Sequence, residues 1–190
     1  MTPPALLRAF EVLRRLPDGV VVGAELGVFR GYMSYALLCR PDLVLFMVDN
    51  WKGVEEYAHE GYGPKDMPAA KAHAFEVTKY AGKRRQVLEM DTDKAAGFIT
   101  DGSLDFVFID ADHSYQGCKS DIINWLPTLK KGGLLGGHDY DNKKYPFGAE
   151  VKRAVDEAVK EHGWTLDLGR NTTWFVRVGY EYCQSNGDEA

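Results

Sequence analysis

The chain of 190 residues has few cysteines, and their positions exclude the roles that cysteine most often has. Cys39, Cys118 and Cys183 are odd in number and far apart, so they form neither a disulfide framework nor a paired metal-binding motif. The sequence also lacks a secretory leader and any apolar run long enough to cross a membrane. We therefore expect free thiols, a cytoplasmic protein and no membrane partner.

Positive charge is scarce as well. Lysine and arginine number 23 against 28 acidic residues, giving a net charge of −5, and the longest basic run is residues 83–85. A nucleic-acid partner is not expected, because it would need a basic surface. Length and composition are those of one globular domain, predicted over residues 1–180, with residues 181–190 as a disordered tail.

The dinucleotide fingerprint G-x-G-x-x-G is also missing. Residues 20–34 read VVVGAELGVFRGYMS, an apolar run ending in Glu25, followed by Gly27 and Gly31 and then by a helical pattern. This order predicts a strand, a glycine turn and a helix, where a ligand can approach the backbone closely. A carboxylate at Glu25 would repel a pyrophosphate but suits a positively charged ligand. The alternative is that the glycines serve packing only.

The pattern Glu25-x-Gly27-x-x-x-Gly31 resembles the first motif of the class I S-adenosylmethionine-dependent methyltransferases. The resemblance implies that this cofactor binds here, with its positive charges near Glu25. Asp49 ends the apolar run 43–48 and lies 24 residues after Glu25. In such folds, an acidic residue about 20 residues after the glycine turn reaches the ribose hydroxyls. The alternative is that Asp49 only caps the turn that follows it.

Four more residues complete the predicted cofactor site, one of them Asp110 at the end of the run DFVFID. Trp51 lies in the turn that follows Asp49. Asp91 and Thr92 follow the predicted strand 86–90, where the resemblance implies contacts to adenine.

The order of elements predicts an α/β fold. Strands that are apolar throughout indicate a parallel sheet covered by helices on both faces. Five strand–helix alternations precede a strand pair at 165–168 and 173–178, and a helix is predicted over 115–130. With the family resemblance, we expect a Rossmann-like, doubly wound, mostly parallel seven-stranded sheet of order 3-2-1-4-5-7-6, its last strand antiparallel. Residues 53–68 are interpreted as a substrate lid, or else a mobile surface loop.

Acidic groups and a histidine follow two further predicted strands. The segments FIDADHSYQG and KKGGLLGGHDY resemble the cation-dependent O-methyltransferases of the catechol, caffeoyl-CoA and macrocin type. The resemblance implies that Asp110 and the pair His138 and Asp139 bind a divalent metal beside the cofactor. His138 replaces an oxygen ligand, which favours manganese, iron or zinc over magnesium, or means that no metal binds. Turn and helix capping is the simpler alternative.

His113 is the predicted catalytic base. It stands where the resemblance implies a lysine base, and an imidazole can take a proton from an acceptor hydroxyl near neutral pH. The alternative is that His113 only caps the helix that follows.

The predicted function is S-adenosylmethionine-dependent methylation of a small-molecule hydroxyl on a sugar, phenol or polyketide, assisted by a divalent metal. A metal-independent methyltransferase and a non-catalytic S-adenosylmethionine-binding protein remain alternatives. An oxidoreductase with a nucleotide cofactor would need the missing fingerprint. The short N-terminal segment, a single predicted helix, leaves the acceptor pocket open or completed by the second subunit of a homodimer.

Overall fold

The computed structural model describes residues 4–179, which form one seven-stranded sheet between two layers of helices. The strand order is β3-β2-β1-β4-β5-β7-β6. The strands are β1 Val21–Leu26, β2 Leu43–Val48, β3 Arg85–Leu88, β4 Leu104–Ile109, β5 Leu129–Gly137, β6 Asp167–Leu168 and β7 Trp174–Arg177. β7 runs antiparallel to both neighbours, and the other pairs are parallel, which confirms the predicted fold.

Each face of the sheet buries its own apolar cluster. The helices are α1 Pro4–Leu13, α2 Tyr32–Leu38, α3 Met67–Thr78, α4 Thr92–Ala96, α5 Tyr115–Trp125 and α6 Phe147–His162. The first three pack on one face, and the last three pack on the other. Among the described residues, no helix is long and apolar enough to span a bilayer.

The register of the sheet brings the strand ends together. Leu26, the last residue of β1, pairs with Val48 of β2 and with Ile109 of β4, and Ile109 pairs with Gly137 of β5. The chain therefore leaves four neighbouring strands at one level. In parallel sheets this carboxyl edge is where ligands bind.

Some predicted boundaries were wrong. The helix that begins at Tyr115 ends at Trp125 rather than at residue 130, because a 3-10 turn, Leu126–Thr128, follows and contains Pro127, which lacks an amide hydrogen. β5 therefore starts at Leu129, inside the segment predicted to be helical. The loop 53–68 contains a 3-10 helix, Glu55–Glu60, and the predicted tail 181–190 lies outside the described residues.

Candidate cofactor and metal site

The glycine turn after β1 needs both of its glycines for backbone geometry. Gly27 and Gly31 have φ values of 86° and 73°, which L side chains rarely adopt. A Cβ on Gly27 would lie 2.1 Å from the carbonyl oxygen of Asp110, and one on Gly31 would lie 2.8 Å from Cα of Ala74. The glycines thus allow β1 to approach β4, and α2 to approach α3, so the packing alternative accounts for part of the motif.

Glu25 is a buried acid beside this turn. Glu25 is only 2% exposed, and its Oε2 accepts a hydrogen bond of 2.5 Å from Ser34 Oγ on α2. Burial raises the pKa of Glu25 to about 8, and the charge of Asp110 adds to this effect. Glu25 therefore holds a proton at neutral pH unless a positive group approaches it.

Asp49 fastens the glycine turn to the end of β2. Its Oδ2 accepts hydrogen bonds from the amides of Val28 at 2.9 Å and Phe29 at 2.8 Å, and Oδ1 accepts one of 2.7 Å from the amide of Trp51. Trp51, with φ of 45°, is 7% exposed and donates from its indole Nε1 to the carbonyl of Phe29. The turn-capping role of Asp49 is thus present. Oδ2 already accepts two hydrogen bonds and Oδ1 accepts one, so a lone pair remains on Oδ1 for a ligand.

Asp91 and Thr92 follow β3 at the same edge. Asp91 accepts hydrogen bonds from Asn50 Nδ2 at 2.8 Å and from Lys94 and Lys52, and these contacts lower its pKa. Thr92 donates from Oγ1 to Asp121, 2.6 Å away. Asn50 therefore links the end of β2 to the end of β3, as expected of one wall of a shared site.

The clearest cluster lies where β4 and β5 end. Asp110, His113, His138 and Asp139 each offer one ligand atom, and these atoms all lie within 4.8 Å of one another. His113 Nε2 is 3.3 Å from Asp110 Oδ1 and 2.9 Å from Asp139 Oδ2. His138 Nδ1 is 3.4 Å and 3.1 Å from the same two oxygens. The sequence prediction brought these four residues to one edge, and the structure places them in one ring of contacts.

Charge within the cluster is strongly coupled. Burial alone lowers the pKa of His113, but contacts with Asp110 and Asp139 outweigh it and raise that pKa to about 10. The same balance raises the pKa of His138 to about 9. Burial would raise the pKa of Asp110, but Arg8 and the two histidines hold it well below its usual range, and the pKa of Asp139 is likewise lowered against burial by the histidines. Both imidazoles are therefore doubly protonated and positively charged at neutral pH.

Four residues around this cluster were missed from the sequence. Arg8 of α1 places Nε 3.4 Å from Asp110 Oδ2, and Asn142 donates to Asp139 Oδ1. Asn171 and Thr172 lie 3.2 Å and 3.4 Å from His138 Nε2. Asn142, three residues after Asp139, could have been found as a turn partner. The other three come from distant segments and gave no local signal.

An aromatic wall, which we define as Tyr62, Tyr145 and Phe147, lies near the cluster. The ring of His113 lies 4.8 Å from that of Phe147, which stacks on Tyr145 at 4.8 Å. Tyr62 packs at 4.5 Å on Phe29 of the glycine turn, because the loop doubles back through a hydrogen bond from Val54 N to Tyr62 O. Burial is the main cause that raises the pKa of Tyr62, and the negative charge of Asp110 is the next. Tyr62 is therefore close enough to the cluster to sense its charge.

The donor set fits a transition-metal ion. A tetrahedral ion with ligands at about 2.0–2.1 Å has ligand atoms roughly 3.4 Å apart. Of the six separations in the cluster, the four between a carboxylate and an imidazole, 2.9 to 3.4 Å, are close to that value, and the remaining two are at most 4.8 Å. Two carboxylates and two imidazoles suit manganese, iron or zinc better than magnesium, which prefers oxygen ligands.

Comparison with known proteins identifies the family of the chain. Residues 24–140 match the family described as a methyltransferase domain. The chain is 30% identical over 131 residues to the uncharacterised protein y4gI of Sinorhizobium fredii; the match covers 65% of this chain but only 14% of that relative.

Solved structures share the fold at low sequence identity. CalS11, a TDP-rhamnose 3′-O-methyltransferase of calicheamicin biosynthesis, has a TM-score of 0.60 at 19% identity, covering 92% of this chain and 79% of its own. A Staphylococcus aureus protein provisionally named a caffeoyl-CoA O-methyltransferase has a TM-score of 0.63 at 15% identity, covering 93% and 92%.

The fold and the strand-end site define a protein of the class I S-adenosylmethionine-dependent methyltransferases. The chain belongs to the methyltransferase domain family, whose match includes the glycine turn and all four members of the Asp/His cluster.

Proposed function

We propose that the protein transfers the methyl group of S-adenosylmethionine to a hydroxyl oxygen of a small molecule. The observation that carries the proposal is the position of the Asp/His cluster. Asp110 follows β4, which is paired with β1, and the backbone of Asp110 is in contact range of Gly27 in the glycine turn. A methyl donor over the turn would thus have acid–base groups beside it.

The cofactor would lie along the edge formed by β1, β2 and β3. Glu25 would face the ammonium group, and Gly27 and Gly31 would let the ligand approach the backbone. Asp49 Oδ1 would accept a hydrogen bond from a ribose hydroxyl, and Trp51 would line the same part of the site. The adenine would lie near Asp91 and Thr92, and Asp110 would complete the site.

A divalent cation would be held by Asp110, His138 and Asp139. When bound, it would act as a Lewis acid that lowers the pKa of the acceptor hydroxyl. Three protein ligands would leave room for the acceptor oxygen, as in catalytic rather than structural metal sites. His113 would lie beside that oxygen.

His113 would take the proton of the acceptor hydroxyl as a neutral imidazole, because a cation bound to Asp110 and Asp139 would weaken the contacts that raise the pKa of His113. Its Nε2 lies 2.9 Å from Asp139 Oδ2, which orients the ring as an acid orients a catalytic histidine. The transfer is an in-line displacement, so the enzyme supplies alignment and a deprotonated oxygen, not a covalent intermediate.

The aromatic wall supports a planar or ring-shaped acceptor. Tyr145 and Phe147 offer apolar ring faces on which the ring of an acceptor would pack. A phenol, a sugar or a polyketide has such a ring. Residues 53–68 would cover such an acceptor as a lid, and a second subunit would close any side left open. The scarcity of cysteine and the charge of −5 favour a cytoplasmic enzyme without a nucleic-acid partner.

A metal-independent enzyme is the second candidate, favoured by one observation. Arg8 and the protonated histidines already balance the charges of Asp110 and Asp139. In that case His113 would accept the proton of the acceptor hydroxyl only when its imidazole is neutral, so turnover would rise with pH towards the pKa of His113, about 10.

Titration calorimetry and a turnover assay test the proposal. S-adenosylhomocysteine should bind with a dissociation constant below about 1 mM, and NAD should bind more weakly. A panel of phenols and sugar nucleotides, assayed by release of S-adenosylhomocysteine with and without chelator and manganese, should identify an acceptor. Tighter binding of NAD would overturn the proposal, and tight cofactor binding without turnover on any acceptor would favour the non-catalytic alternative.

A further inference from the structure

Arg8 is a cation inside the predicted site that the sequence did not indicate. It projects from α1 to the end of β4, where Nε lies 3.4 Å from Asp110 Oδ2. The side chain is 19% exposed, yet Nε is buried and makes no hydrogen bond among the described residues. A buried guanidinium donor without an acceptor is costly, and this contact with Asp110 does not satisfy it.

The glycine turn offers few donors of its own. The amide of Gly27 donates to Val48 O, and that of Gly31 donates to Val28 O. The amides of Val28 and Phe29 both donate to Asp49. An anionic group on a ligand at this turn would therefore find most of the nearby backbone donors already engaged.

Arg8 is also the cation that acts on Glu25. Among the main influences on the pKa of Glu25, Arg8 is the one positive charge, opposing Asp110 and Asp49. The amino-acid end of S-adenosylmethionine carries an ammonium and a carboxylate on the same carbon. If Glu25 takes the ammonium, the carboxylate lies within a few ångströms of it and needs a cation there.

We propose that Arg8 binds the α-carboxylate of the cofactor. The inference rests on the proposed function, since it assumes that the cofactor lies at the glycine turn. In the free protein, Arg8 is the counter-ion of Asp110. In the complex, the guanidinium would donate to the carboxylate, which gives Nε the acceptor that it lacks among the described residues.

The test compares two ligands that differ in that carboxylate alone. S-adenosylhomocysteine has it, and S-adenosyl-3-thiopropylamine keeps the ammonium but lacks it. By calorimetry, the parent protein should prefer the first by about 10- to 100-fold, the ratio expected for a charged hydrogen bond of about 1.5–3 kcal/mol. Arg8→Met should reduce the preference to less than threefold, chiefly by weakening S-adenosylhomocysteine.

Matched variants keep the result interpretable. Arg14→Met removes a guanidinium just beyond the same helix, one that pairs with Glu11, and should leave the preference unchanged. Arg8→Lys keeps the charge without the planar fork and should retain an intermediate preference; it also serves if Arg8→Met does not fold. An unchanged preference in a folded Arg8→Met or Arg8→Lys protein would overturn the inference. Failure of both ligands to bind the parent protein would instead contradict the proposed function.

Discussion

Replacing Glu25 with glutamine should remove a pH dependence from the stability of the cofactor-free protein. The pKa of Glu25 is raised from 4.5 to about 8, with burial as the largest cause. Between these values the folded protein holds a proton that the unfolded chain releases, so the free energy of unfolding falls as pH rises through this window. Above about pH 8 the contribution is fully lost.

The size of the effect follows from the shift. Each pKa unit corresponds to about 1.36 kcal/mol, so between pH 5.5 and pH 8.5 the parent protein should lose at most about 3 kcal/mol through Glu25. Glutamine has nearly the same shape and can still accept the hydrogen bond from Ser34. Glu25→Gln should therefore gain up to that amount relative to the parent at pH 8.5, compared with pH 5.5.

Urea unfolding of the metal-free protein at the two pH values measures this directly. Glu161→Gln, at an exposed position on α6, is the control and should change stability equally at both pH values. If the stability difference between Glu25→Gln and the parent were the same at pH 5.5 and 8.5 within about 0.5 kcal/mol, Glu25 would be ionised in the fold and our account of its burial would be wrong.

Four further results are expected. Binding of S-adenosylhomocysteine at pH 7 should release up to one proton from Glu25, seen as a buffer-dependent calorimetric enthalpy that Glu25→Gln abolishes; an unchanged enthalpy in that variant would count against the ammonium contact. Asp49→Ala should weaken cofactor binding at least tenfold and lower the free energy of unfolding by about 3 kcal/mol, because three backbone amides lose their acceptor. Asp49→Asn should lose less affinity and less stability; equal losses in the two variants would exclude a specific role for the carboxylate. Chelation should abolish methyl transfer and manganese should restore it, with Asp139→Asn insensitive to added metal; full activity in chelator would favour the metal-independent candidate. His113→Ala should lose about 10²- to 10⁴-fold in turnover with cofactor affinity nearly unchanged, and His113→Lys should recover part of it at higher pH; a loss under threefold would leave His113 as a helix cap.

Sequence patterns were sufficient for the α/β class and the succession of strands and helices because they are local, whereas the order of strands in the sheet came from the family resemblance. Apolar runs, glycine turns and helical periods each reside within a few residues, and the carboxyl ends of parallel strands must meet at one edge. That rule places Glu25, Asp49, Asp110 and His138 at the same edge.

Long-range contacts within the site were beyond such reasoning. Arg8 reaches Asp110 across the packing of α1 on the sheet, and Asn171 reaches His138 from the turn before β7. Neither pair has a spacing that a sequence pattern encodes. Nor does the sequence reveal that Asp139 has φ of 60°, a left-handed conformation in which its side chain faces both histidines. Such geometry depends on tertiary packing rather than on propensity.

Five carboxylates share this edge, and the protein neutralises them in three ways. Asp110 and Asp139 are compensated by positive side chains, namely two histidines and Arg8, and Asp91 by Lys52 and Lys94. Asp49 is compensated by backbone amides, which carry no net charge, and Glu25 by a proton. A cationic ligand is attracted most where negative charge is not already matched by a side-chain cation. This charge pattern supports the proposal that the ammonium of the cofactor would lie at Glu25, beside a ribose at Asp49, and that the acceptor and its proton would lie at the end of β4 and β5, where the carboxylates are already paired with cations.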